Sequence, residues 1–249
     1  MMSEKNILII GMGTVGTNLY NELCPYFNIF CYDKYKGINN KSSHHDLAFI
    51  CVDTPLNKEG TDLDTTEVIN AVKENDAEVF VIKSTCPITT TNYIHIKYNK
   101  RVVYSPEYYG ATQHCNNYDY NFTILGGEKA DCRYVQEILQ ECYDARHLFR
   151  ITDSNTAELV KFMENSWIAT KVSFCNQFYD IAKANGIYYG ELRELFLLDP
   201  RVNPSHTFVY QDHPYWDSHC LNKDVPAVAE SENAEFLKAV VKFNENRKP

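Results

Sequence analysis

The first 150 residues alternate between short apolar-rich runs and longer amphipathic stretches. Residues 7–10, 29–32, 47–52, 79–82, 101–104, 121–125 and 147–150 are short, bounded by turn residues and rich in β-branched and aromatic side chains, so each predicts a strand. Between them, Val15, Leu19 and Leu23 recur at helical spacing, and Asp64 or Thr65 can cap a helix running to about Asn75. A threonine-rich run opens another helix after Pro87, and a further one covers about 130–142. The connection 34–46 is short and polar, with little room for a helix. Apolar strands alternating with helices predict a parallel sheet, and ligands of such sheets bind beyond the strand C-termini.

After residue 151 the pattern changes. A helical repeat beginning at Thr152 or Ser154 continues without Gly or Pro to Gly186, longer than most globular helices. Its apolar positions, Leu159, Phe162, Met163, Trp167, Ile168, Val172, Phe174, Cys175 and Phe178, cover much of the circumference, which predicts a homodimer built on 152–186. Glu158, Lys161 and Asn165 share one face near its start, a spacing that a solvated stripe would show equally well. A short helix at 191–198, a polar aromatic loop at 199–219, the stretch Cys220-Leu221-Asn222-Lys223-Asp224 and a terminal helix at 226–243 complete the chain. The expected fold is α/β: a doubly wound parallel sheet over 1–151, then a long central helix and a small helical domain over 152–249.

The junction after the first strand carries ligand chemistry. Gly11-Met12-Gly13-Thr14-Val15-Gly16 joins strand to helix, and the second strand ends at Asp33, 17 residues after Gly16. In this arrangement the first glycine permits the tight turn, the second lets backbone approach a pyrophosphate, and the third lets helix pack on strand. The pyrophosphate sits at the helix N-terminus and the acid accepts ribose hydroxyls. The sheet therefore reads as a Rossmann-type domain binding NAD. Asp33 would repel a 2′-phosphate, with Lys34 and Lys36 offsetting only part of that charge, so NAD is expected over NADP.

Composition narrows the partners. The net charge of −9 and the absence of a Lys/Arg block argue against nucleic acid and anionic membrane surfaces. No stretch approaches ~20 uninterrupted apolar residues. Nine cysteines, an odd number scattered without CxxC spacing, indicate reduced thiols in a cytoplasmic protein. His206, His213 and His219 lie in one aromatic loop, a pattern more typical of surface or pocket residues than of metal ligands, and no metal is expected.

Taken in order, the GxGxxG turn, Val52-Asp53-Thr54-Pro55, Lys83-Ser84-Thr85-Cys86-Pro87, Ser105-Pro106-Glu107, Ala157-Glu158-Leu159-Val160-Lys161 with Asn165, Asp199-Pro200-Arg201 and Cys220-Leu221-Asn222-Lys223-Asp224 resemble the UDP-glucose/GDP-mannose dehydrogenase family over nearly the whole chain. The resemblance implies an NAD-dependent, four-electron oxidation of a nucleotide-sugar primary alcohol to a carboxylate. It implies Cys220 as the nucleophile that forms a thiohemiacetal and then a thioester. Lys161 would stabilise the oxyanion, with Asn165 as a second donor or a holder of water. Asp224 and Glu107 would serve the hydrolytic water, and Thr85 would lie beside nicotinamide and water. Val52, Thr54, Pro55, Ser84, Thr85 and Lys223 would join the glycine turn in holding cofactor. Arg201, Tyr108, Tyr109 and Lys161 would contact substrate, Arg201 reaching a partner subunit.

The sequence also departs from the family. Its Phe-Leu-x-Glu-Gly stands here as Tyr108-Tyr109-Gly110, without the second glutamate, and its Gly-Phe-Gly-Gly as Tyr215-Trp216-Asp217-Ser218, with side chains where backbone would approach the sugar. The family's C-terminal nucleotide-binding domain has no counterpart after about Phe243, so altered substrate recognition, weak activity on UDP-glucose itself, or a partner chain supplying that domain is expected. A second reading is a dimeric NAD-binding or regulatory module with impaired catalysis. A third is a two-electron β-hydroxyacid dehydrogenase, which needs no cysteine, so Cys220 discriminates.

Overall fold

The structure, a computed structural model, describes residues 4–109 and 120–249. Two compact units divide the chain, one formed by the residues up to Pro55 with Asp64–Lys161, the other by Leu56–Leu63 with Phe162–Pro249. Among the described residues, no helix is long and apolar enough to cross a membrane.

The first unit contains strands β1 (Asn6–Ile10), β2 (Asn28–Asp33), β3 (Ile38–Asn40), β4 (Leu47–Ile50), β5 (Val79–Ile82), β6 (Val102–Tyr104), β7 (Phe122–Gly127) and β8 (Leu148–Thr152). They form one sheet in the order β3-β2-β1-β4-β5-β6-β7-β8. Helices α1 (Thr14–Leu23), α2 (Thr66–Glu74), α3 (Thr90–Tyr98) and α4 (Lys129–Leu139) cover it. Alternation within the apolar strands feeds two cores. Ile7, Ile9, Phe49 and Val81 pack with Leu19, Leu23 and Val135, while Leu8, Ile10, Ile50 and Phe80 pack with Val68, Val72 and Ile94. Apolar side chains on both faces are what a sheet covered on both sides requires.

The sheet is mostly, not wholly, parallel. The polar connection after Asp33 folds back as β3, pairing antiparallel with β2 through Tyr32↔Asn39. The Asp33 carboxylate accepts from the N–H groups of Tyr35 and Lys36, and Gly37 at φ +66 completes the reversal. β6 and β7 also run antiparallel.

Helix α5 (Ser154–Ala184) is 31 residues long, contributing its start to the first unit and its remainder to the second. The second unit adds α6 (Tyr189–Phe196), α7 (His219–Ser231) and α8 (Glu235–Glu245). The single terminal helix expected at 226–243 is thus two helices. The first begins well before Pro226 because the Ser218 hydroxyl caps it, accepting from the Leu221 N–H. Pro226 lies inside α7, and the break falls where Asn233 adopts φ +49. Ala169, Trp216, Leu221, Val225 and Val240 form one core of this unit, and Leu63, Phe162, Ala227 and Val228 a second.

Candidate functional site

The glycine turn in the first unit has the geometry its sequence predicts. Gly11 adopts φ +90, and a Cβ there would lie 2.6 Å from the Cys51 carbonyl oxygen. A Cβ on Gly16 would lie 1.9 Å from the Gly11 carbonyl oxygen, so helix and turn approach too closely for a side chain. Gly13 is open, with nothing within 4 Å of its Cβ position, and as the N-cap of α1 it leaves the first-turn N–H groups without a side-chain cap. Met12, Thr14 and Val15 complete this turn. Asp33 closes it, accepting from the Met12 N–H at 2.9 Å as well as from Tyr35 and Lys36. Three of about four carboxylate acceptor positions are engaged, which leaves one for a ribose hydroxyl. Burial opposes the charged form, but these three N–H groups and the Lys36 charge hold the carboxyl below the usual carboxylate range. An open anion site followed by an ionised acceptor fits a dinucleotide.

The strand-end motifs lie along the same edge. The Ser84 hydroxyl donates to the Val52 carbonyl at 2.6 Å, and the Thr54 hydroxyl to the Thr85 carbonyl at 2.7 Å, so the 52–55 and 83–87 segments are tied together. Pro55 is exposed and Thr85 is buried. Glu107, also buried, accepts from the N–H groups of Tyr108 and Tyr109 on one oxygen, while its other lies 3.3 Å from the Lys83 ammonium. With Lys83, Ser105, Tyr109 and Glu22 among others it lines a cavity of about 80 Å³, large enough for water. The Lys161 ammonium stands 5.2 Å from the centroid of the Tyr108 ring, which stacks on Tyr120. The Tyr109 hydroxyl donates to Glu22, which also accepts from Tyr143. Gly110 lies outside the described residues.

In the second unit, Cys220 is in the first turn of α7 and exposed. Asp224, one turn on, is fully buried. Its carboxylate accepts from the Asn165 amide at 2.7 Å and from the Lys223 ammonium at 2.7 Å. Asn165 and Lys223 are thereby gathered on one acid, with Cys220 one helical turn away along α7. Arg201 is exposed and bidentate to Asp199. Burial pushes the Cys132 and Cys142 thiols up to about 12, and the Cys31, Cys51 and Cys175 thiols upward as well. Among the described residues no group of three or more His, Cys, Asp or Glu side chains is placed to hold a metal ion.

Three features escaped the sequence reading. Glu158 is not on a solvated stripe but fully buried, accepting from Thr89 N–H (2.7 Å), Thr91 N–H (2.8 Å) and Thr91 hydroxyl (2.7 Å), so it caps α3 from another helix. Lys83 was visible only as part of a motif, with no local sign of its pairing with Glu107. Trp216 does not project from the loop before Cys220. It is buried, its indole N–H donates to the Ser173 hydroxyl, and its backbone N–H and carbonyl both bond the Asn244 side chain.

Family models match most of the chain. The NAD binding domain of the UDP-glucose/GDP-mannose dehydrogenase family matches residues 30–147, and the central domain of that family matches residues 155–246. A UDP-N-acetyl-D-mannosamine dehydrogenase of Methanococcus maripaludis is 29% identical over 225 residues, covering 86% of this chain and 51% of the relative. A UDP-glucose 6-dehydrogenase of Rickettsia felis is 29% identical over 229 residues, covering 84% and 50%. The chain therefore spans about half the length of these curated relatives. The solved UDP-glucose dehydrogenase of Pyrobaculum islandicum superposes with a TM-score of 0.79 at 20% identity, covering 98% of this chain and 68% of that one, a likeness of fold.

Proposed function

The chain belongs to the UDP-glucose/GDP-mannose dehydrogenase family, and from that premise we propose that it oxidises the primary alcohol of a sugar or nucleotide sugar to a carboxylate. The matched NAD-binding domain makes NAD the cofactor, held by the Gly11–Gly16 turn, Asp33, Val52, Thr54, Pro55, Ser84 and Thr85. When bound, NAD supplies the hydride acceptor for both oxidations. The residues of the chain do the rest. Lys161 steadies the alkoxide oxygen, and the Cys220 thiolate adds to the aldehyde to give a thiohemiacetal whose oxidation leaves a thioester. Glu107 draws the proton from the water that opens it. Asp224, which holds Asn165 and Lys223 on its two oxygens, orients that water with them.

The observation that carries this reading is Cys220 itself, exposed at the first turn of a helix that also supplies a buried carboxylate one turn on, where a structural cysteine would be buried. Cysteines scattered without paired spacing support a reducing, cytoplasmic setting. Cys220→Ser tests the covalent step: the variant should bind NAD as the parent does and stop at the aldehyde level. Carboxylate release at the parental rate would overturn it.

The same reading includes a homodimer. Met163, Trp167, Phe174, Phe178 and Ile181 are 74%, 60%, 50%, 40% and 46% exposed, and with Leu159 they form a stripe on the order of 100° wide along α5. A stripe of that length and apolarity on a soluble chain supports a second copy as its cover.

A further inference from the structure

The second unit contains a cleft that none of the residues assigned above occupies. Its volume is about 400 Å³, between the C-terminal part of α5, the start of α6 and the segment around Phe208. That lies within the ~300–1,000 Å³ range of small-molecule sites. Aromatic rings contribute to its walls, with Tyr179 and Tyr189 edge to face at 5.8 Å and Phe208 also in the lining.

Its polar groups are held in place by a buried threonine. Thr207, 2% exposed, accepts from Arg193 Nε on its hydroxyl at 2.9 Å and from the Tyr189 hydroxyl on its carbonyl at 3.0 Å. The Arg193 guanidinium is thereby held over Phe208, its central carbon 3.7 Å from the ring centroid. Only Nε is engaged in a hydrogen bond among the described residues, so the two Nη groups keep their donors. Lys183 adds a second cation and Glu194 the single acid, a surplus of one positive charge on a chain whose net charge is −9.

We propose that this cleft binds a nucleotide, its base stacked against the aromatic walls and its phosphate on Arg193 and Lys183. A fixed guanidinium fork matches phosphate oxygens bidentately, and aromatic faces accept any base. A bare anion would leave the rings and most of the volume unused. Phe208, 62% exposed with the Arg193 guanidinium against its ring, then has a function that solvent contact alone does not give it. Tyr179 and Lys183 lie about 100° or more around α5 from the exposed stripe, so a second copy on that stripe leaves the cleft reachable. The inference does not depend on the oxidation chemistry.

Calorimetric titration of the full chain, saturated with NAD so that the glycine-turn site is filled, tests it with UDP, ADP, uridine and inorganic phosphate as separate probes. A nucleoside diphosphate should bind at one per chain, and Lys183→Met and Phe208→Ala, both at exposed positions, should each weaken it about tenfold, the loss expected for one stacked base or charged contact. Uridine and phosphate should each bind about tenfold more weakly or worse. Absence of binding for both nucleotides, unchanged affinity in both variants, or phosphate binding as tightly as UDP would overturn the proposal.

Discussion

Glu158→Ala should destabilise the first unit by about 2–4 kcal/mol. The Thr91 N–H is buried, so losing its acceptor costs about 1–3 kcal/mol. Thr89 is exposed, and its N–H can turn to water at little cost. Removing a negative charge from the start of α3 loses a further ~0.3–1 kcal/mol, and the missing methylene about 0.8 kcal/mol. Part of this is offset because an ionised carboxylate no longer has to be buried. For a chain of this size the net figure corresponds to a melting shift on the order of 5–10 °C. Urea unfolding followed by far-UV circular dichroism would read it as a lowered midpoint at unchanged slope. An unfolding free energy within ~0.5 kcal/mol of the parent would show that Glu158 does not hold α3, and the capping argument would fail.

Three further outcomes are expected. Burial lifts the Glu158 carboxyl above its ordinary value despite the bonds from Thr91 and Thr89, so the native state holds that proton to higher pH than the unfolded chain. The proton-linked part of its contribution is then full below the unfolded value of about 4.3 and lost as pH rises through the folded one, while the bonds to Thr89 and Thr91 remain. Relative to Glu158→Gln the parent should lose stability with rising pH, and a relative gain would contradict the assignment. Fluorescence titration should show NAD binding more tightly than NADP, with Asp33→Ser narrowing the gap; tighter NADP binding by the parent would remove the ribose role of Asp33. Light scattering at micromolar concentration should give a dimer that Phe174→Asp converts to monomer, and a monomeric parent would refute the stripe as an interface.

What the sequence disclosed was local chemistry. The geometry of the Gly11–Gly16 turn was legible because it is fixed within a few residues of backbone, and the apolar strands because burial on both faces leaves few polar positions. The β3 return was not, since it depends on Asp33 capping two N–H groups in a segment whose composition resembles a loop. Glu158 was illegible for another reason: its partners lie 67 and 69 residues away, and helical spacing cannot tell a buried acceptor from a solvated one. Pro226 misled because proline favours the first turn of a helix, whereas the Ser218 cap set the start. Trp216 stood in a loop whose side chains were expected near the sugar, and only the bonds to Asn244 and Ser173 show that it turns into the core.

The central claim is that this chain oxidises a sugar alcohol to a carboxylate through Cys220. It is tested most directly by incubating the purified protein with NAD and a panel of nucleotide sugars, following reduced cofactor by absorbance and product by mass. The account predicts that at least one sugar yields a carboxylate with two NAD reduced per molecule, and that Cys220→Ser yields none. A protein that binds NAD yet reduces none of it with any sugar, or that stops at one NAD per sugar with Cys220 intact, would contradict it.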